Sequence, residues 1–233
     1  MNTPETPATN LKTFYIVDFD RTLADSEKLF DMFVTMAQRY TALPEAQITA
    51  AHEQMIAKGD SFDTASYVRD HMREAGEGDR WNDLEKHYIH ESRSVNMLLP
   101  GARDLLDEFR IRGERFGILT YGNPFWQHLK LSAVGFNHLH RIVMVQKQKG
   151  KLVSSWQQSD GSFHLPQEFG GGTVDRIVML DDKAVSFDGF PGNPSAGYHV
   201  VDKAHLLPSQ EGDVPSNVIH CTTLAQAQAL LFS

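Results

Sequence analysis

Cysteine is nearly absent: Cys221 is the one thiol in 233 residues. A single cysteine excludes an intramolecular disulfide framework and any cysteine-based zinc site. Positive charge is also short, with 22 Lys and Arg against 30 Asp and Glu and a formal net charge of −8. Nucleic acid and anionic membranes attract basic faces, so neither is expected as a partner. No apolar run approaches the roughly 20 residues of a membrane span. The opening stretch, MNTPETPATN, is polar, carries two prolines and has no basic-then-apolar segment. Residues 1–12 therefore read as a disordered tail rather than a signal peptide. The expectation is a cytoplasmic protein, monomeric or homodimeric. What is present is ordinary globular composition, 41% hydrophobic and 22% charged. The acidity has no assignment at this level.

Thr13 to Val17 is a β-branched and aromatic run that suits a buried parallel strand. It stops at Asp18-Phe19-Asp20-Arg21-Thr22. From Ser26 to about Asn96 the pattern turns helical. Leu29, Phe33, Met36 and Tyr40 form one stripe; Phe62, Ala65, Val68 and Met72 form a second, behind Ser61 as N-cap. Trp81, Leu84, Tyr88, Ser92 and Val95 form a third, entered through Asp79, and a further helix starts at Pro44. So long a helical stretch without a strand reads as a separate bundle. After Pro100-Gly101 strands alternate with helices. Strands are expected at Arg115–Leu119 with Thr120 at the end, Arg141–Val145, Arg176–Leu180, Tyr198–Val201 and Val218–Cys221. Helices are expected through Leu105, Leu106 and Phe109, from Asn123-Pro124, and from about Leu224 to Leu231. The alternation predicts an α/β fold with a parallel sheet. Lys151 to Trp156 reads as a β-excursion followed by a Gly-rich loop to Gly172, lining the pocket or decorating the sheet edge.

Open parallel sheets bind ligands beyond the carboxyl ends of their strands. Asp18, Asp20 and Thr22 follow the first strand, and Thr120 ends the second. Lys147, Lys149 and Lys151 follow the third, and Asp181 and Asp182 the fourth. Carboxylates converging at a sheet edge repel one another, and a hard divalent cation held by oxygen ligands relieves this. A hydroxyl and an ammonium nearby would bind the oxygens of a phosphate. Two aspartates in one loop also divide labour, one as nucleophile and one moving a proton. The combination points to phosphoryl transfer.

This arrangement closely resembles the haloacid dehalogenase-like superfamily, most of whose members are magnesium-dependent phosphatases. The resemblance covers nearly all of the chain. The motifs are the strand ending in Asp18-Phe19-Asp20-Arg21-Thr22 with Leu23-Ala24-Asp25-Ser26 behind it, the strand ending in Thr120, the lysine, and Met179-Leu180-Asp181-Asp182. It implies a Rossmann-like core from residues 13–23 and 97–233, with residues 24–96 inserted as a helical cap of the first type. It implies that Asp18 attacks phosphorus to form an aspartyl-phosphate. Asp20 would protonate the leaving group and then activate water. Mg2+ would be bound by Asp18, the Asp20 backbone carbonyl and Asp182, with Asp181 as ligand or supporting neighbour. Thr120 would hydrogen-bond the phosphoryl group, and a lysine would offset charge, Lys149 being preferred and Lys147 the second choice. Thr22, Arg21, Tyr121, Gly122 and Lys147 would line the substrate position. The family usually has Gly where Arg21 stands.

The resulting expectation is a phosphomonoester hydrolase acting on a small phosphorylated metabolite. A phosphomutase or phosphotransferase would use the same residues, and a non-enzymatic phosphate- or metal-binding regulator is the alternative from another class. A dehalogenase fits less well, because in that branch the second aspartate of the first motif is typically absent. Asp25 reads as a helix cap or as part of the cap hinge. His87 and His90 stand at i, i+3 but have no evident third ligand.

Overall fold

A computed structural model describes residues 11–201, 207 and 210–233; most of the expected tail, at 1–10, lies outside the described residues. The chain opens with strand β1 (Thr13–Val17), then helices α1 (Ser26–Ala37), α2 (Glu45–Ala57), α3 (Thr64–Glu74) and α4 (Trp81–Ser94). Next come α5 (Ala102–Arg112), β2 (Arg115–Tyr121), α6 (Pro124–Ala133), β3 (Arg141–Met144) and α7 (Lys149–Ser154). A short antiparallel pair, β4 (Phe163–His164) and β5 (Thr173–Val174), precedes β6 (Arg176–Asp181), β7 (Ala196–Val200), β8 (Val218–Cys221) and α8 (Leu224–Leu231).

Six strands form one parallel sheet in the order β3-β2-β1-β6-β7-β8. The central strands β1 and β6 are buried along almost their whole length, which is why both read as continuous apolar runs rather than alternating ones. Strand order reverses between them: β2 and β3 extend one way from β1, and β7 and β8 extend the other way from β6. Such a switch point opens a crevice at the carboxyl ends of the two strands. The Asp18 loop and Asp181-Asp182 stand at that point.

The helical segment leaves and rejoins the sheet layer through one stem. Asp25 N donates to Met97 O and Leu99 N to Leu23 O, with Ala24 bridged to Leu98. Asp25 caps α1, accepting from Lys28 N at 3.0 Å. The segment also packs on the helices of the sheet layer. Phe33 and Tyr88 pack on Trp126 of α6 with ring centroids 4.9 and 6.1 Å apart, so one apolar cluster runs from α1 and α4 into the helices on the sheet.

The structure corrects several local expectations. Asp63, not Ser61, caps α3, accepting from Ser66 N at 3.0 Å, because the helix starts at Thr64. Asp79 lies in a 3-10 turn at Gly78–Arg80, and Val95 falls beyond the end of α4, out of the buried stripe. Lys151–Trp156 is not a β-excursion: α7 occupies Lys149–Ser154. The segment through Gly172 neither lines the pocket nor merely decorates an edge. Val153, Trp156, Phe163, Leu165 and Phe169 are buried against Phe14, Ile16 and Leu119, covering the sheet's second face.

Candidate active site

Three carboxylates meet at the switch point. One oxygen from each of Asp18, Asp181 and Asp182 lies within 4.8 Å of the others, and all three residues are buried. Lys149, the first residue of α7 and itself buried, donates to Asp18 Oδ1 at 2.5 Å and to Asp181 Oδ2 at 2.6 Å. Asp18 and Asp181 thus share one ammonium, and Lys183 offsets part of the charge of Asp182. Burial pushes the Asp18 carboxyl up to about 6, with Lys149 pulling it down and Asp181 and Asp20 pushing it further up. Burial also pushes Asp182 up to about 8, reinforced by Asp18 and Asp181. For Lys149, burial opposes the charge, but the two carboxylates overcome this and raise its pKa. Unbalanced buried charge of this kind costs several kcal/mol per ion, by order of magnitude.

Whether the donor set fits a cation depends on the oxygens that the protein leaves unused. Asp181 spends both: Oδ2 on Lys149 and Oδ1 on the backbone N–H of Lys183 at 2.9 Å. Asp182 Oδ2 accepts from Gln210 at 2.8 Å, while Asp182 Oδ1 is buried with no hydrogen-bond partner among the described residues. A buried orphan oxygen costs free energy unless something pairs with it. An oxygen-only set with excess negative charge fits a hard divalent cation. Asp181 is the neighbour that supports, and Asp182 the one with a free lone pair.

Asp18 is further fixed by Thr22, whose hydroxyl donates to Oδ2 at 3.1 Å. Thr22 is fully buried, with its hydroxyl spent on the Asp18 carboxylate. Arg21 is likewise turned away, pairing with Glu27 at 2.5 Å. It is the one described non-glycine residue with positive φ, 59°, a conformation that costs an ordinary residue roughly 1–2 kcal/mol and explains why glycine suits the position. Thr120 is fully buried, and its Oγ1 has no partner among the described residues.

Asp18, Asp20, Tyr121, Lys147, Lys149 and Lys183 line a small cavity of about 30 Å3. Lys147 lies 5.6 Å from the Tyr121 ring centre and donates to the Gly59 carbonyl in the α2–α3 loop. Asn123 Nδ2 holds the same loop through Ser61 O at 2.8 Å. Gly59–Ser61 of the helical segment are thus held against Lys147, which lines the cavity, and against Asn123. Lys151 is exposed and outside the site. His87 spends Nδ1 on Tyr40 at 3.0 Å, away from any acidic cluster found among the described residues.

Asp20 has surroundings that the strand-end reading missed. Ser26 Oγ donates to Oδ1 at 2.6 Å, Gln127 Nε2 donates to Oδ2 at 2.6 Å, and Lys130 forms an ion pair with Oδ1. Burial alone would raise its pKa, but Lys130, Ser26 and Gln127 outweigh it and bring the carboxyl down to about 2. Lys130 and Gln127 lie on α6 within an amphipathic pattern, where a lysine and a glutamine read as solvated. Gln210 gave no signal either, since it follows β7 at a distance no motif specifies.

No protein-family model matches the sequence, and no curated protein matches it either. Solved structures do. A haloacid dehalogenase-like hydrolase from Burkholderia xenovorans LB400 is similar over 94% of this chain and 96% of its own, with TM-score 0.64 and 16% identity. The chain has the haloacid dehalogenase-like fold. A phosphatase of this fold from Thermococcus onnurineus is similar over 94% of this chain and 97% of its own, at TM-score 0.58 and 15% identity. The L-2-haloacid dehalogenase RSc1362 is similar over 96% of this chain and the whole of its own, at TM-score 0.52 and 12% identity. The fold thus hosts both phosphate and haloacid chemistry, and the site has to separate them.

Proposed function

We propose that this chain is a magnesium-dependent phosphomonoester hydrolase acting on a small phosphorylated metabolite through an aspartyl-phosphate at Asp18. The observation that carries the reading is the buried group of Asp18, Asp181 and Asp182, with Lys149 bonded to the first two and a free oxygen on the third. Displacing halide from a haloacid requires no cation and would leave that oxygen without a purpose. Residues 24–96 are read as the cap over a core of 13–23 and 97–233.

Bound at Asp18, Asp182 and the Asp20 backbone carbonyl, Mg2+ would offset the carboxylates and polarise the phosphoryl oxygens. The residues of the chain do the rest. Asp18, steered by Thr22 and Lys149, attacks phosphorus as the bond to the leaving oxygen breaks. Thr120 donates its free hydroxyl to a phosphoryl oxygen, and Lys149 steadies the negative charge shared between nucleophile and phosphate. Asp20, protonated against three donors that favour its carboxylate, gives that proton to the leaving oxygen and then, as the carboxylate, takes one back from the attacking water. That water cleaves the aspartyl-phosphate, releasing inorganic phosphate and restoring Asp18. Lys147, Tyr121 and the Gly59–Ser61 loop would keep bulk water from the reacting groups.

The reading is tested by giving one preparation an aryl phosphate, a panel of phosphorylated metabolites and an L-2-haloalkanoate, each with Mg2+ and with a chelator. Phosphate release that needs Mg2+ supports it. Halide release that persists under chelation, without phosphate release, would move the chain to the dehalogenase chemistry. Transfer of phosphate between two hydroxyls of one sugar would make it a mutase with the same machinery.

A further inference from the structure

We propose that Lys130 and Gln127 are positioning residues that grip the Asp20 carboxylate from α6 and fix the direction in which it meets the reacting groups. The inference rests on the phosphatase reading for its kinetic test.

The geometry is that of a clamp. Residues three apart on a helix share a face, and α6 presents Gln127 and Lys130 together. Each takes a different oxygen of Asp20: Lys130 takes Oδ1, which Ser26 Oγ also reaches at 2.6 Å, and Gln127 takes Oδ2 at 2.6 Å. With both oxygens engaged, the carboxylate cannot rotate without breaking a bond. Gln127 is anchored in turn, since its Nε2 also donates to Tyr121 O at 2.7 Å. Asp20 lines the cavity whereas Lys130 and Gln127 do not, so they hold it from behind.

The surroundings are specialised for this contact. Lys130 and Gln127 are only 4% and 2% exposed, and Lys130 Nζ lies 5.7 Å from the ring centres of both Phe19 and Trp126. A lysine buried among aromatic rings has to be paired to stay there, and Asp20 is its carboxylate partner. Gly122 completes the arrangement: a Cβ there would stand 2.3 Å from Gln127 Nε2. Any side chain at 122 would displace the amide from Asp20. Misplacing a reacting group by about 1 Å can cost on the order of 100-fold in rate, which gives such a clamp its value.

Lys130 and Gln127 act through Asp20, so the test is a double-mutant cycle in kcat on an aryl phosphate with Mg2+. Gln127→Leu and Lys130→Met are each expected to lower kcat about 10- to 100-fold with KM changed less than about twofold. Lys130→Arg, which keeps the charge and the donors, is expected to recover most of the loss. In an Asp20→Asn background either substitution is expected to change kcat by less than about twofold, because the group they orient is gone. Equal losses in both backgrounds would overturn the proposal, as would a KM rise at unchanged kcat. Lys130→Met leaves a buried carboxylate unpaired; if it does not fold, the Gln127→Leu cycle carries the test alone with the ion pair intact. If wild-type protein hydrolyses no phosphate, the phosphatase reading fails, and a crystal structure of Gln127→Leu still reads the clamp. A rotated Asp20 carboxylate supports it, and an unmoved one overturns it.

Discussion

Lys149 Nζ stands 2.5 Å from Asp18 Oδ1, an ion pair sealed at the switch point of the sheet with both partners buried. The pair brings the end of β1 and the start of α7 together although 131 residues separate them. Because the same ammonium also holds Asp181, removing it leaves three carboxylates facing one another. Lys149→Met is expected to destabilise the metal-free protein by about 3–5 kcal/mol and to lower kcat by roughly 10²- to 10³-fold. Chemical denaturation and steady-state kinetics measure the two effects, and Mg2+ is expected to recover part of the stability and little of the rate.

Asp182 gives the site a pH signature. Its carboxyl is raised to about 8 from an ordinary 3.8 by burial and by Asp18 and Asp181. Between those values the folded protein keeps a proton that the unfolded chain has lost, so stability falls as pH rises through that window. Without divalent cations, melting temperature is expected to drop from about pH 7 to 8, above the range of the lowered histidines His52, His128 and His199. With saturating Mg2+ the slope is expected to flatten, because the cation takes the place of the proton. Equal slopes with and without Mg2+ would count against a cation at these oxygens.

Gln210 orients Asp182 by donating to Oδ2 at 2.8 Å, which leaves Oδ1 free. Groups that support a metal ligand are worth roughly 10- to 100-fold in affinity. Gln210→Met is therefore expected to raise the Mg2+ concentration needed for half-maximal activity at least about tenfold, with maximal kcat nearly retained. A titration of activity against Mg2+ separates this from a loss of fold.

Gly150 lets α7 close on the chain near Asp188. A Cβ at this position would lie 2.5 Å from Asp188 O and 2.8 Å from Phe190 N, and backbone cannot yield as a side-chain tip can. Gly150→Ala is expected to shift the start of α7, and Lys149 with it. Overpacking of this kind costs about 1–3 kcal/mol. Thermal melting and kcat should fall together, in contrast to Gln210→Met.

The sheet and the acidic cluster were legible because their signals are local. β1 and β8 stand at the runs expected for them, and Asp18, Thr120, Lys149 and Asp181-Asp182 lie at or beyond the carboxyl ends of strands, where a parallel sheet builds its sites. Thr22 and Arg21 sit in the right loop, yet one bonds Asp18 and the other bonds Glu27, and the sequence does not state side-chain direction. Lys130, Gln127 and Gln210 were invisible for a related reason. Each is a polar residue with an ordinary solvated reading, and its role comes from a partner 28 to 110 residues away. Lys151–Trp156 misled because a short apolar run fits strand and helix equally; tertiary packing of Val153 and Trp156 under the sheet selected the helix.

The central claim is that Asp18 carries the phosphoryl group, and its most direct test is mass spectrometry of protein quenched in acid during turnover of an aryl phosphate with Mg2+. A fraction of the protein is expected to gain the mass of one phosphoryl group on the peptide containing Asp18. The adduct should be lost on treatment with hydroxylamine, as an acyl phosphate is, and be absent from Asp18→Asn. Phosphate release continuing in Asp18→Asn, or an adduct on another residue, would contradict it.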